Sequence, residues 1–185
     1  MKTVLAIPGS LRKTSYNRSL LHAAAEIAPE DVSVVVYEGL GSLPLFDEDL
    51  ETATRGGPEP VRRLRDQLAS TDGLLIATPE YNHSIPGVLK NAIDWLSRPA
   101  PNEVLARKPV AVIGASAGPF GTRLAQSALR QVLYATESLV LPGPTLFSRD
   151  AGTLFDRSGR LIDETTLKRL AAVLSAFGDW IDRFG

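Results

Sequence analysis

Five short apolar runs, each followed by a segment with helical spacing, constrain this chain more than any other feature. The runs are Thr3–Ile7, Val32–Val36, Gly73–Thr78, Pro109–Ala115 and Ser138–Leu141. Several are nearly unbroken in Val, Ile, Leu and Ala, the pattern of strands buried on both faces of a parallel sheet. Between and after them, Leu89, Ala92, Ile93 and Leu96 fall at i, i+3, i+4 and i+7, as do Ala125, Ala128, Leu129 and Val132, and Leu167, Leu170, Ala171 and Leu174. Leu20, Ala24 and Ile27, and Val61, Leu64 and Leu68, trace weaker stripes of the same kind. Strict alternation of strand and helix predicts an α/β fold with an open, doubly wound parallel sheet and right-handed crossovers. Five strands fit a flavodoxin-like three-layer sandwich of order 2-1-3-4-5 better than a six-stranded dinucleotide fold. Residues 1–185 read as one domain.

Two stretches resist the alternation. Tyr37–Pro58 carries Pro, Gly and acidic residues with little periodicity, and so long a loop in a compact domain is expected to be functional or mobile. Pro142–Asp163 reads as a surface excursion, with a turn at Asp156-Arg157-Ser158-Gly159-Arg160.

Composition removes several function classes. There is no Cys, so disulfides, thiolate metal sites and a Cys nucleophile are excluded. Two His, His22 and His83, argue against a His-rich metal site, and no metal is expected. Twenty Lys and Arg against 21 Asp and Glu leave a net charge of −1. That balance suits neither a nucleic-acid binder nor an acidic carrier steered onto redox partners. No run approaches the roughly 20 apolar residues of a membrane span, and the start lacks a signal-peptide core and cleavage site. A cytoplasmic protein without nucleic-acid or membrane partners is expected.

In open α/β sheets, ligands bind beyond the carboxyl ends of the strands, where the strand order reverses. The loops after strands 1, 3 and 4 meet there, and they are the most unusual sequences in the chain. The first, Pro8-Gly9-Ser10-Leu11-Arg12-Lys13-Thr14-Ser15-Tyr16-Asn17, joins hydroxyls, a guanidinium and a carboxamide to a helix start, the donor set a phosphate dianion needs. It lacks Gly-x-Gly-x-x-Gly and the Gly-Lys-Ser/Thr of a P-loop, which leaves a single terminal phosphate, as in flavin mononucleotide (FMN). Ser or Asn here would also serve to cap the helix. The second, Thr78-Pro79-Glu80-Tyr81-Asn82-His83-Ser84-Ile85-Pro86-Gly87, offers Ser84 as a helix cap, amides for the edge of a flat ring, and Tyr81 to flank it. His83 reads as a solvated surface residue. The third, Gly114-Ala115-Ser116-Ala117-Gly118-Pro119-Phe120-Gly121-Thr122, has small residues that let backbone approach a ligand. No protein acid, base or nucleophile is expected as a catalytic residue, because a flavin carries the chemistry itself.

With these loops in view, the chain resembles the NADPH-dependent FMN reductase family, which includes bacterial chromate, quinone and azo-dye reductases. The matching pieces are Gly9-Ser10-Leu11-Arg12 with Ser15 and Asn17; Pro79-Glu80-Tyr81-Asn82; Pro86-Gly87-Val88-Leu89-Lys90-Asn91-Ala92-Ile93-Asp94-Trp95; and Gly121-Thr122-Arg123-Leu124-Ala125-Gln126 into Leu129-Arg130. At Gly118-Pro119-Phe120-Gly121 the chain is poorer in Gly than many relatives. The resemblance implies that Ser10, Arg12, Ser15 and Asn17, with Leu11 among them, hold the FMN phosphate. It implies that Pro79, Glu80, Tyr81, Asn82 and the loop of Ser116 and Gly118 hold the ring and ribityl side. It further implies NADPH or NADH as co-substrate, ping-pong hydride transfer to a small acceptor, and a homodimer or homotetramer paired through the helix of Asp94 and Trp95. The alternative is a non-catalytic flavodoxin-type electron carrier or flavin-dependent regulator.

Overall fold

The structure is a computed structural model that describes residues 1–99 and 103–185. Its elements follow the expected order: β1 (Lys2–Pro8), α1 (Tyr16–Ile27), β2 (Val32–Val36), α2 (Glu48–Ala53), α3 (Glu59–Ala69), β3 (Gly73–Ala77), α4 (Gly87–Leu96), β4 (Pro109–Ala115), α5 (Arg123–Ala135), β5 (Leu139–Val140), β6 (Leu146–Ser148) and α6 (Glu164–Phe184). The strands pair in parallel in the order β2-β1-β3-β4-β5, and β6 also pairs with β4. The register runs Val4 to Gly73, Leu74 to Val110 and Ile113 to Leu146. The flavodoxin-like topology read from the sequence is therefore present.

The unbroken apolar runs have the predicted cause. Along each central strand, alternate side chains enter two separate cores. Val4, Ala6, Leu75, Ala111 and Ile113 pack with Leu20 and Leu21 of α1 and Leu170, Leu174 and Phe177 of α6. Leu5, Ile7, Leu74, Ile76 and Val112 pack with Leu64 of α3, Leu89 and Ile93 of α4, and Leu129 of α5. Burying both faces in this way supplies most of the driving force for folding, at roughly 25 cal/mol per Å² of apolar surface removed from water.

Three expectations need correction. The fifth strand is shorter than the run Ser138–Leu141, because Pro142-Gly143-Pro144 breaks it: β5 covers the start of β4, and β6, inside the stretch expected to be an excursion, covers its end. The stretch 37–58 is a strap pinned to α4, not a free loop. It contains a 3₁₀ turn at Leu40–Ser42 and the helix α2, which Asp47 caps by accepting from the amides of Asp49 and Leu50. The carbonyl of Pro44 accepts from Asn91 Nδ2 at 2.9 Å and from Trp95 Nε1 at 2.8 Å, and the Asn91 carboxamide oxygen accepts from the Phe46 amide at 2.7 Å. Trp95 is 1% exposed, with the Phe46 ring edge-on at 4.9 Å. Its side chain is thus packed in the interior of the chain. Finally, Ser84 does not cap α4, whose N-cap is Pro86 with no side-chain bond. Ser84 instead closes a tight turn with Tyr81, each amide donating to the other's carbonyl at 3.0 Å.

Candidate functional site

The carboxyl ends of β1, β3 and β4 open into one cavity of about 250 Å³. Ser10, Arg12, Ser15, Tyr16 and Asn17 line it from the first loop and the start of α1; Pro79, Glu80 and Tyr81 line it from the loop after β3; Ala115, Ser116 and Ala117 line it from the loop after β4. Eight of the eleven residues expected at a cofactor site lie on its wall.

Glycines allow the loops to come this close. A Cβ on Gly114 would lie 2.3 Å from Thr122 Oγ1 and 2.4 Å from the Thr78 carbonyl, so only Gly lets the end of β4 touch both the β3 loop and the start of α5.

The first loop is organised around two buried serines. Ser15 is the N-cap of α1, its hydroxyl accepting from the Arg18 amide at 3.4 Å. Ser10 Oγ accepts from the Arg12 amide at 3.3 Å and lies 3.4 Å from the Tyr81 hydroxyl, which links the first loop to the second. The Arg12 guanidinium lies 5.0 Å from the centroid of the Tyr16 ring and donates to the Thr14 carbonyl at 2.7 Å. Its charge therefore stays exposed beside the cavity. The Tyr16 ring in turn stacks on Phe155 at 5.6 Å. Arg18 is turned away, in an ion pair with Glu38.

Two expected ligands do more for the walls than for the opening. Asn17, 98 residues from Ala115 and 2% exposed, donates to the Ala115 carbonyl at 2.8 Å and accepts from the Ala115 amide at 2.9 Å. Its carboxamide thus clamps α1 to the end of β4. Glu80 sends its carboxylate to the start of α5, where Oε2 accepts from the amides of Leu124 at 2.9 Å and Ala125 at 3.0 Å. The residue before that helix, Thr122, makes no side-chain cap, so Glu80 supplies it from another loop. The other carboxylate oxygen lies 3.6 Å from Nδ1 of His83, whose side chain is 78% exposed.

Leu11, Asn82 and Gly118 are not on the cavity wall. Leu11 is half exposed and faces Gly41. Asn82 and His83 have φ of 50° and 62°, the paired left-handed conformation that the tight turn from Tyr81 to Ser84 demands and that Asn tolerates. Gly118 sits behind Ser116 and donates its amide to Ser116 Oγ at 3.1 Å. Sequence reasoning passed over Tyr16, Ala115 and Ala117; Tyr16 carried a signal in its place between Ser15 and Asn17.

The comparisons with known proteins now bear on this geometry. The family model for NADPH-dependent FMN reductases matches residues 2–152, the span that holds all three loops. The chain belongs to the NADPH-dependent FMN reductase family. It is 43% identical over 180 residues to an NAD(P)H-dependent FMN reductase of Pseudomonas aeruginosa, covering 97% of this chain and 95% of that one. It is 40% identical over 178 residues to a 2-hydroxy-1,4-benzoquinone reductase of a Burkholderia species, covering 96% and 95%. Among solved structures, it resembles the flavoenzyme NAD(P)H:(acceptor) oxidoreductase of Paracoccus denitrificans, with a TM-score of 0.90 and 37% identity over the whole of both chains. No helix among the described residues is long and apolar enough to cross a membrane.

Proposed function

We propose that this member of the family is an FMN-dependent NAD(P)H oxidoreductase that reduces small acceptors such as quinones, azo compounds, free flavin or chromate. The observation that carries this reading is the convergence of three loops, from three strands, on one cavity whose donors suit a phosphate. Ser10 and Ser15 bring buried hydroxyls, Arg12 brings an exposed positive charge, and the first turn of α1 adds backbone N–H groups. These groups fit the phosphate of FMN. At about 250 Å³, the cavity is smaller than the roughly 300–1,000 Å³ of sites that enclose drug-sized ligands. It therefore suits the phosphate and ribityl end, with the half-exposed Tyr81 left to flank a flat ring at the mouth.

When bound, FMN would supply the hydride chemistry, taking a hydride from NAD(P)H and passing the electrons on in a ping-pong cycle. The residues of this chain orient and fix. Asn17 and Glu80 tie the loops to α1 and α5, and Ser10 holds Arg12 and Tyr81 in one cluster. No side chain here is assigned a proton-transfer step. The rival reading, a carrier or regulator with the same cradle, is disfavoured by a net charge of −1, which gives a redox protein little to steer by. Self-association through the helix of Asp94, whose side chain is 35% exposed, belongs to the proposal as well. A cytoplasmic location accords with the lack of Cys.

The test is FMN retention in Arg12→Ala. Loss of a charge-assisted phosphate contact should weaken FMN binding by about tenfold or more, read by quenching of flavin fluorescence on titration. Unchanged affinity would remove the phosphate assignment. Steady-state NADPH oxidation with a quinone should give parallel double-reciprocal lines, and negligible turnover by FMN-loaded protein would favour the carrier.

A further inference from the structure

A second cavity, larger than the one described above, lies beside it. It has a volume of about 630 Å³ and opens on the same carboxyl edge of the sheet, on the far side of the loop after β4. Ala115, Ser116 and Ala117 face the flavin cavity, while Pro119 and Phe120 line the larger one. Consecutive Cα atoms are about 3.8 Å apart, so two walls two residues apart on one loop lie within about 8 Å of each other. The loop also hangs on the wall of the second cavity. The Ser116 amide donates to the Ser148 carbonyl at 2.9 Å, and the Ala151 amide to the Ser116 carbonyl at 3.0 Å.

Four observations describe what this cavity could hold. First, Ser148 lines it, is 6% exposed, and among the described residues its hydroxyl has no hydrogen-bond partner. A buried hydroxyl without a partner costs roughly 1–3 kcal/mol, so a group that enters the cavity and bonds to it gains that much. Second, three arginines line it: Arg123, Arg149 and Arg169. Among the described residues Arg123 and Arg169 have no carboxylate oxygen within ion-pair range, and Arg149 reaches only Asp150, at 3.8 Å. The Arg123 guanidinium carbon lies over the Phe147 ring, 4.8 Å from its centroid. Third, Asp150 and Asp163 lie on the same wall. Their charges would repel a bare anion, but they suit a ligand that carries hydroxyls next to its phosphate, as a ribose does. Asp163 is partly engaged, capping α6 through the Thr166 amide at 2.7 Å. Fourth, Phe120 is 77% exposed at the rim, an aromatic face on which a purine could stack.

We propose that this cavity binds the phosphorylated adenosine end of the nicotinamide nucleotide, with Arg169, Arg149 and the Ser148 hydroxyl on the phosphate, Asp150 toward the ribose and Phe120 against the adenine. This deepens the reading of the chain as an NAD(P)H oxidoreductase and rests on it. One dinucleotide would then straddle the loop after β4, its adenylate in the large cavity and its nicotinamide at the mouth of the small one. Cofactor preference would be decided here and not by Arg12, Lys13 or Arg18 in the first loop.

The experiment uses FMN-loaded protein and isothermal titration with three probes: 2′,5′-ADP, 5′-AMP and inorganic phosphate. The proposal expects 2′,5′-ADP to bind, Arg169→Ala to weaken it by about tenfold, and Ser148→Ala to weaken it by about fivefold, while FMN affinity stays unchanged and the melting temperature is not lowered, rising in Ser148→Ala as the unpartnered hydroxyl is removed. Absence of 2′,5′-ADP binding, or binding indifferent to both substitutions, overturns the proposal. Inorganic phosphate binding as tightly as the nucleotide would mark a site for free anions and overturn the adenosine assignment. Loss of the oxidoreductase reading would appear separately, as protein that takes up no FMN yet still binds 2′,5′-ADP through Arg169.

Discussion

Glu80 supplies a cap to a helix that begins 44 residues later, and removing it tests the architecture of the site directly. Its carboxylate accepts two first-turn amides of α5, at 2.9 and 3.0 Å, from a side chain that is 11% exposed. Loss of a cap costs about 0.5–2 kcal/mol, and the lost charge at the positive end of the helix dipole adds about 0.3–1 kcal/mol. Glu80→Ala should therefore destabilise the protein by about 2 kcal/mol. For a chain of this size each kcal/mol lowers the melting temperature by about 2–4 °C, so a fall of about 4–8 °C is expected. Glu80→Gln keeps an acceptor oxygen and loses only the charge, and should cost about 1–3 °C. Differential scanning calorimetry of the three apoproteins at pH 7 reads both values. If Ala and Gln fall together, the effect is purely of charge and the two-amide geometry is irrelevant. If neither falls, the cap is not formed in solution. FMN affinity should drop less than in Arg12→Ala, since Glu80 acts on the loop and not on the phosphate.

Two further outcomes separate structural from ligand roles. Asn17→Ala leaves the amide and carbonyl of Ala115 unpaired in a buried place, and should cost about 2–4 kcal/mol in urea unfolding of the apoprotein; a residue that served only the phosphate would leave apoprotein stability unchanged. Hydrogen bonds from Thr166, to which its backbone amide also contributes, hold the carboxyl of Asp163 below its ordinary value of 3.8. The folded value is the depressed one, so this stabilisation is present above pH 3.8 and is lost as pH falls through the folded value; Asp163→Asn should flatten the acid limb of stability against pH, and an unaltered limb would refute the linkage.

Central strands such as Leu74-Leu75-Ile76 could be read from sequence because burial on both faces leaves no room for polar residues. α2 could not: six residues reading Glu-Asp-Leu-Glu-Thr-Ala give no apolar stripe, and its one signal is Asp47 ahead of an acidic first turn. The cavity was legible because loops at a switch point must meet, and hydroxyls next to Arg12 stand out in any context. The division of labour inside it was not. Asn17 and Glu80 find their partners 98 and 44 residues away, so only the folded chain reveals that their side chains hold walls together. Asn82 stands out in the sequence for lying beside Tyr81, and the fold adds a second demand on it, a left-handed backbone angle that the turn needs.

The break at Pro142-Gly143-Pro144 bears on how copies of this chain can assemble. On that flank, β4 is met by strands of only two and three residues, separated by two prolines that have no N–H to offer. An incoming strand would find no continuous ladder there to extend, which guards this border against edge-to-edge aggregation. Growth of a continuous intermolecular sheet is closed off on that side, and a quaternary contact there has to be made by helices and loops.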